Sequence, residues 1–224
     1  MAEAGSYGTA RSGNWLWAVL VGATLLLMDF ILLAALVPTA WSERVRDTEL
    51  AWLQDGLGAR TAAAVVQRAD GWYGTLFVAT KVVETSYRIT LPSDEDVKRA
   101  GALSPLATLP LWSWVAGRLE VVWAALHQVL QRLAMLMAWW PFLLLLLAAA
   151  WGDGWVRRRI RQSGFAYASP LAHAYALRGI VVVFVLLGLV LFLPLPLPAL
   201  GVPVVGVLMA VLVGVIIANA QKRL

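Results

Sequence analysis

Apolar positions along this chain fall into long runs, and between them polar residues return with helical spacing. The first run, Asn14 to Val37, is interrupted only by Asp29; it opens on Trp15 and Trp17 and closes at Pro38, with Trp41 just beyond. A second, Leu133 to Trp151, holds no charge and breaks into Gly152-Asp153-Gly154-Trp155-Val156-Arg157-Arg158-Arg159-Ile160-Arg161. Two shorter runs follow, Gly179–Leu193 and Val204–Ala218, joined by the turn Pro194-Leu195-Pro196-Leu197-Pro198. About twenty apolar residues cross a bilayer core as one helix. The pattern therefore predicts an all-α membrane protein with about four transmembrane helices, at 14–38, 133–151, 179–200 and 201–219. The shortness of the last two leaves a shallow hairpin as the rival reading. The first run is too long for a signal-peptide core of about 7–15 residues, and Pro38-Thr39-Ala40 is a poor cleavage site, so a retained helix is expected.

Residues 39–132 read as a helical segment outside the bilayer. Leu50, Leu53 and Leu57 follow helical spacing, as do Trp72, Leu76 and Val83, and Gly56 and Gly58 divide two helices. The apolar stretch 71–80 is too short to cross and suits an interface or a small core. Ser93 before Asp94, Glu95 and Asp96 reads as an N-cap with an acidic first turn, and Ser104-Pro105 as a second helix start. From about Pro110, Trp112, Val115, Leu119, Val122, Leu126, Val129 and Leu133 form one apolar stripe. Glu120, His127, Gln128, Gln131 and Arg132 lie opposite. This predicts an amphipathic stalk leading into the second span, with a kink at Pro141. Gly164 reads as a helix stop and Ser169-Pro170 as a restart.

Composition strengthens the membrane reading. The chain is 61% hydrophobic and 14% charged, against about 45–50% and about 25% in soluble domains. Charge then orients it. Segment 43–118 carries nine basic and nine acidic residues and is neutral. Arg11, Arg157, Arg158, Arg159, Arg161, Arg178, Lys222 and Arg223, against Glu3 and Asp153, carry a net charge of +6. Basic flanks mark the cytoplasmic face. The expectation is a bacterial inner-membrane protein with tails 1–13 and 220–224 and loop 152–178 in the cytoplasm, and 39–132 in the periplasm. This basicity is a topology signal, so direct nucleic-acid binding is not expected.

Chemistry is sparse. There is no cysteine, which excludes disulfides and thiolate sites. Phosphate loops, zinc-protease helices, nucleophile elbows and dinucleotide fingerprints are absent from the sequence. His127 and His173 fall on opposite predicted faces, and Asp94, Glu95 and Asp96 lack the spacing of a calcium loop. No catalytic residue, metal or cofactor is expected.

Asp29, a carboxylate within the first span, costs about 2.5–3.5 kcal/mol to insert. It is the one feature that suggests the other class of function, a small transporter or membrane-embedded enzyme. Gly206, Ala210, Gly214 and Ala218 recur every four residues and mark a face for close helix packing. The neighbouring helix belongs to this chain, to another subunit or to a second copy; a homo-oligomer stays open. Arg157, Arg158, Arg159 and Arg161, with Asp153 four residues before Arg157, are candidates to dock a partner or anionic lipids.

Three features resemble a family of inner-membrane proteins encoded in integrating conjugative elements and related plasmids. They are Asp153-Gly154 followed by Arg157 and Arg161; Gly164 followed by Ser169 and His173; and Glu49-Leu50-Ala51-Trp52-Leu53 after the first helix. The likeness is clearest over 139–178. It implies a non-enzymatic scaffold or assembly subunit of a conjugative type IV secretion, DNA-transfer machine. The implied partners are other inner-membrane subunits, among them the coupling ATPase. His173 joins the docking candidates on this ground.

Overall fold

A computed structural model describes residues 13–93, 95, 110–164 and 169–220. Every regular element among them is helical. The helices are α1 (Gly13–Leu36), α2 (Thr39–Leu57), α3 (Ala59–Tyr73), α4 (Val82–Thr90), α5 (Pro110–Ala138), α6 (Trp140–Ser163), α7 (Pro170–Phe192) and α8 (Gly201–Ala218). A π-helical turn, Gly74–Val78, continues α3. Gly58, at φ 79, separates α2 from α3; an L side chain seldom adopts that conformation. The helix starts expected at Ser93 with Asp94 and Asp96, and at Ser104-Pro105, fall largely outside the described residues, as do tails 1–12 and 221–224.

Four helices are long and apolar enough to cross a membrane, as a multi-pass membrane protein requires: Val19–Leu36, Pro110–Ala138, Pro170–Phe192 and Gly201–Ala218. Their mean hydropathies are 2.5, 1.3, 2.5 and 2.7. Helix α6 is apolar only in its first half, before Asp153 and the arginines.

The neighbours of each helix give its direction. Gly22 of α1 lies against Val185 of α7, Leu26 against Gly188, and the rings of Phe30 and Phe192 meet edge to face at 6.2 Å. Helices α1 and α7 therefore run parallel. Along α6 and α8, Leu143 meets Gly206, Gly154 meets Gly214, and Arg161 meets Asn219, so this pair is parallel too. Gly179 against Leu212 and His173 against Ile216 make α7 and α8 antiparallel. The result is a row in the order α1, α7, α8, α6. Helix α7 has 23 residues and α8 has 18. At about 1.5 Å per residue both are long enough for a hydrocarbon core of about 30 Å, allowing for flanks.

The apolar run 133–151 is not one helix. It divides at Trp139 (φ −86, ψ −5), whose amide reaches both Met135 and Leu136 carbonyls at 3.3 and 3.2 Å. Pro141 offers no amide hydrogen to the preceding turn and disfavours helical backbone before it. The first part of the run therefore ends α5 and the rest opens α6.

Helix α5 does not lie alongside the row. It touches α1 near the end of α1, where Val121 and Ala125 bury Leu33. Ten or so residues on, it touches α7 near the end of α7, through Arg132. Its path runs across one end of the row, with α2 and α3 packed on it. The main core sits there: Leu53, Ala62, Val65, Ala69, Ala134 and Met135 pack with Ala199 of the α7–α8 turn and Val202 of α8. Trp41 Nε1 donates to the Pro194 carbonyl at 2.8 Å. The proline-rich turn is thus gripped by α2, α3 and α5.

Candidate functional site

Part of the polar side of α5 faces inward, while Glu120 is exposed. Gln128, Gln131 and Arg132 are buried, whereas Leu133 of the expected apolar stripe is exposed and the rest of that stripe is half-buried. Where the surroundings are apolar, hydrocarbon side chains need no protein cover, and polar groups must find partners inside.

Those partners form a fully buried knot. Arg132 is 1% exposed and Glu49 2%. Arg132 Nε donates to Glu49 Oε1 at 3.0 Å, and Nη2 to Oε2 at 3.2 Å. Gln128 Nε2 donates to Oε2 at 2.6 Å. On its other side, Arg132 Nη1 donates to the carbonyls of Val190, Leu191 and Leu193 at 2.7–2.9 Å, and Nη2 to that of Leu195 at 2.7 Å. The last carbonyls of a helix have no partner within it. Arg132 supplies one for α7 and brings positive charge to the helix terminus that favours it.

The same device recurs twice. Arg118 Nη1 donates to the carbonyls at the end of α1, Val37 at 2.7 Å and Ala35 at 3.4 Å. Arg161 Nη1 donates to Asn219 Oδ1 at 2.6 Å and to the Ala218 carbonyl at 3.3 Å, at the end of α8. Each of these three apolar helices ends on an arginine from another helix. Sequence reasoning left Glu49, Arg118 and Arg132 out of the candidate sites. The available signal was a charge directly bordering an apolar run.

The candidates near the other end of the row divide into two groups. Arg161, Ser169 and His173 converge on the α8 terminus. Ser169 N donates to Asn219 Oδ1 at 3.3 Å, and Ser169 Oγ caps α7 by accepting from Ala172 N at 3.2 Å. His173 Nδ1 lies 3.1 Å from the Ile216 carbonyl, so that nitrogen carries the proton. The second group is open to its surroundings. Asp153 and Arg157 form an exposed i,i+4 ion pair at 2.9 Å. Arg159 stacks over Trp155 at 5.6 Å. Arg158, half-buried between them, has no hydrogen-bond partner on Nε.

The small residues of α8 face α6 of the same chain. Gly206 sits under Leu143, and a Cβ at Gly206 would collide with that side chain. A Cβ at Gly154 would stand 2.8 Å from the Gly214 carbonyl oxygen. Ala210 and Ala218 are buried along the same strip.

On α1, the Oδ2 of Asp29 is buried without a hydrogen bond. His127 Nε2 lies 2.8 Å from Asp70 Oδ1, with the Tyr73 ring against the imidazole. Burial raises the Tyr73 and Tyr87 hydroxyls above the ordinary phenol value; Tyr87 adds to the first and Glu120 to the second. No group of three or more metal-ligating side chains occurs among the described residues.

Among the described residues the chain is all-helical, with four helices long and apolar enough to cross a membrane, an architecture compatible with a multi-pass membrane protein. The chain belongs to the DtrJ-like family, described as "IncC plasmid conjugative DNA transfer protein DtrJ-like", whose model matches residues 33–224. Its function therefore lies in conjugative DNA transfer. No match was found among curated proteins or solved structures.

Proposed function

We propose that this chain is a non-enzymatic inner-membrane subunit of a conjugative type IV secretion machine, carried on a plasmid or an integrating element. In this reading α1, α6, α7 and α8 cross the membrane, and α2–α5 form a periplasmic mound over their outer ends. Helix α6 is preferred to α5 as the second span because α6 follows α8 in parallel from Leu143 to Arg161. Helix α5 meets α1 and α7 only near their ends. The arginine-rich end of α6 then falls in the cytoplasm, in keeping with the charge rule.

The observation that carries the scaffold reading is the exposed face Trp155, Arg159 and Gln162, with half-buried Arg158 at its edge. A cytoplasmic partner, the coupling ATPase or another subunit, would dock there. Arg161 and His173 are set aside as docking residues, because they close the end of α8. Reversing charge in R158E/R159E should lower transfer about tenfold or more, the factor corresponding to about 1.4 kcal/mol of docking energy. Protein level should be unchanged and partner pull-down lost. Normal transfer and normal pull-down from cells carrying this variant would refute the docking face.

Asp29→Asn separates this reading from the transporter or membrane-enzyme alternative. Asparagine keeps the shape and removes a carboxylate with no hydrogen bond on Oδ2. Transfer efficiency and immunoblotted protein level should both match wild type. Loss of transfer at a normal protein level would make Asp29 a working residue.

A further inference from the structure

The side of α6 opposite the docking face borders a groove shared with α8, about 480 Å³ in volume. Its polarity is graded. Leu146 and Ala149 of α6, with Val207 and Val211 of α8, line one end; Asp153, Arg157 and Arg161 line the other. Leu146 to Asp153 is seven residues, a rise of about 10 Å, which takes up most of the roughly 15 Å of hydrocarbon in one leaflet. Two guanidinium groups against one carboxylate leave a single positive charge at the polar end. Arg161 engages α8 through Nη1 alone, and a guanidinium has five donors. Its Nε and Nη2 remain to bind a second acceptor.

We infer that this groove binds one anionic phospholipid of the leaflet on the Arg161 side. An acyl chain lies on the alanine and valine wall, and the phosphodiester is held between Arg157 and Arg161. The single negative charge of a phosphodiester balances the site, and planar guanidinium groups suit its paired oxygens. Apolar wall and charged rim lie in the order in which a lipid presents tail and head. The inference rests on the membrane reading above but not on partner docking, since Arg158 and Arg159 point to the other side of α6.

The test is native mass spectrometry of the full-length protein in mild detergent, titrated with phosphatidylglycerol or phosphatidylcholine of identical chains. Wild type should retain phosphatidylglycerol about tenfold better, a difference of about 1.4 kcal/mol. R157Q should lose that preference. V211W should lose it too, by filling the apolar end without changing charge. If V211W lowers the melting temperature, A149L fills the same space. R158Q/R159Q should keep the preference, and glycerol 3-phosphate should fail to compete. Equal retention of the two lipids would overturn the inference. So would full retention by V211W or A149L, or a loss in R158Q/R159Q equal to that in R157Q, which would mean diffuse attraction. Displacement by glycerol 3-phosphate would mean a site for soluble phosphate instead.

Discussion

Replacing Arg132 with methionine should remove most of the folded protein from the membrane. Methionine fills a comparable apolar volume but leaves Glu49, 2% exposed, as a buried carboxylate without its cation. Breaking a buried pair on one side costs about 3–5 kcal/mol. The carbonyls of Val190, Leu191, Leu193 and Leu195 lose their donor in the same step. Against a total stability of about 5–15 kcal/mol this is a large fraction. Glu49→Gln should be milder, because the amide oxygen in the place of Oε2 can still accept from Gln128 and Arg132 Nη2, while the acceptor for Arg132 Nε and the charge balance are lost. Thermal melting in detergent and immunoblotting of membranes should rank wild type above Glu49→Gln, and Glu49→Gln above Arg132→Met. If Arg132→Met melted with wild type, the knot would not be what joins the mound to the row.

Gly154→Ala should be the most damaging single-methyl addition. The new Cβ would stand 2.8 Å from the Gly214 carbonyl oxygen and 3.0 Å from Ile217 Cβ. Backbone cannot rotate away as a side chain can, so α6 and α8 must separate. Overpacking of this kind costs about 1–3 kcal/mol. The separation would also pull Arg161 from Asn219 and loosen the lipid groove. Gly152→Ala, two residues away, meets nothing within 4 Å and should melt at or above the wild-type temperature. Equal melting of the two variants would mean that the close crossing is not a constraint.

The apolar runs were legible because their length and uniformity leave few alternatives. Helix ends at Pro38, Gly58 and Gly164, and the Ser169-Pro170 restart, were legible from local stereochemistry. What the run 133–151 concealed was the break at Trp139, since both halves are equally apolar and only Pro141 hinted at it. The inward turn of Gln128, Gln131 and Arg132 on α5 was not legible, for a physical reason. Periodicity gives a polar face and an apolar face but not which of them meets protein, and near a bilayer the soluble rule inverts. Arg161 was a docking candidate as part of a basic cluster, and His173 through the family resemblance. In the structure their hydrogen bonds go to the α8 terminus, a contact between residues more than forty apart that no local pattern contains. Glu49 and Arg132 are 83 positions apart, and only the fold brings them together. The proline-rich stretch was legible as a turn, but nothing local showed that Trp41 and Arg132 donate to its Pro194 and Leu195 carbonyls.

In the proposed topology α6 crosses the membrane while α5 lies across its outer end. Because the chain has no cysteine, single cysteines can be placed at Met137, near the end of α5, and Gln162, near the end of α6. An impermeant maleimide applied to spheroplasts should label the cysteine at 137 directly and the one at 162 only after the membrane is opened. If both positions were labelled from the same side, α6 would not be a span, and the topology, the cytoplasmic docking face and the leaflet assigned to the lipid would all be contradicted.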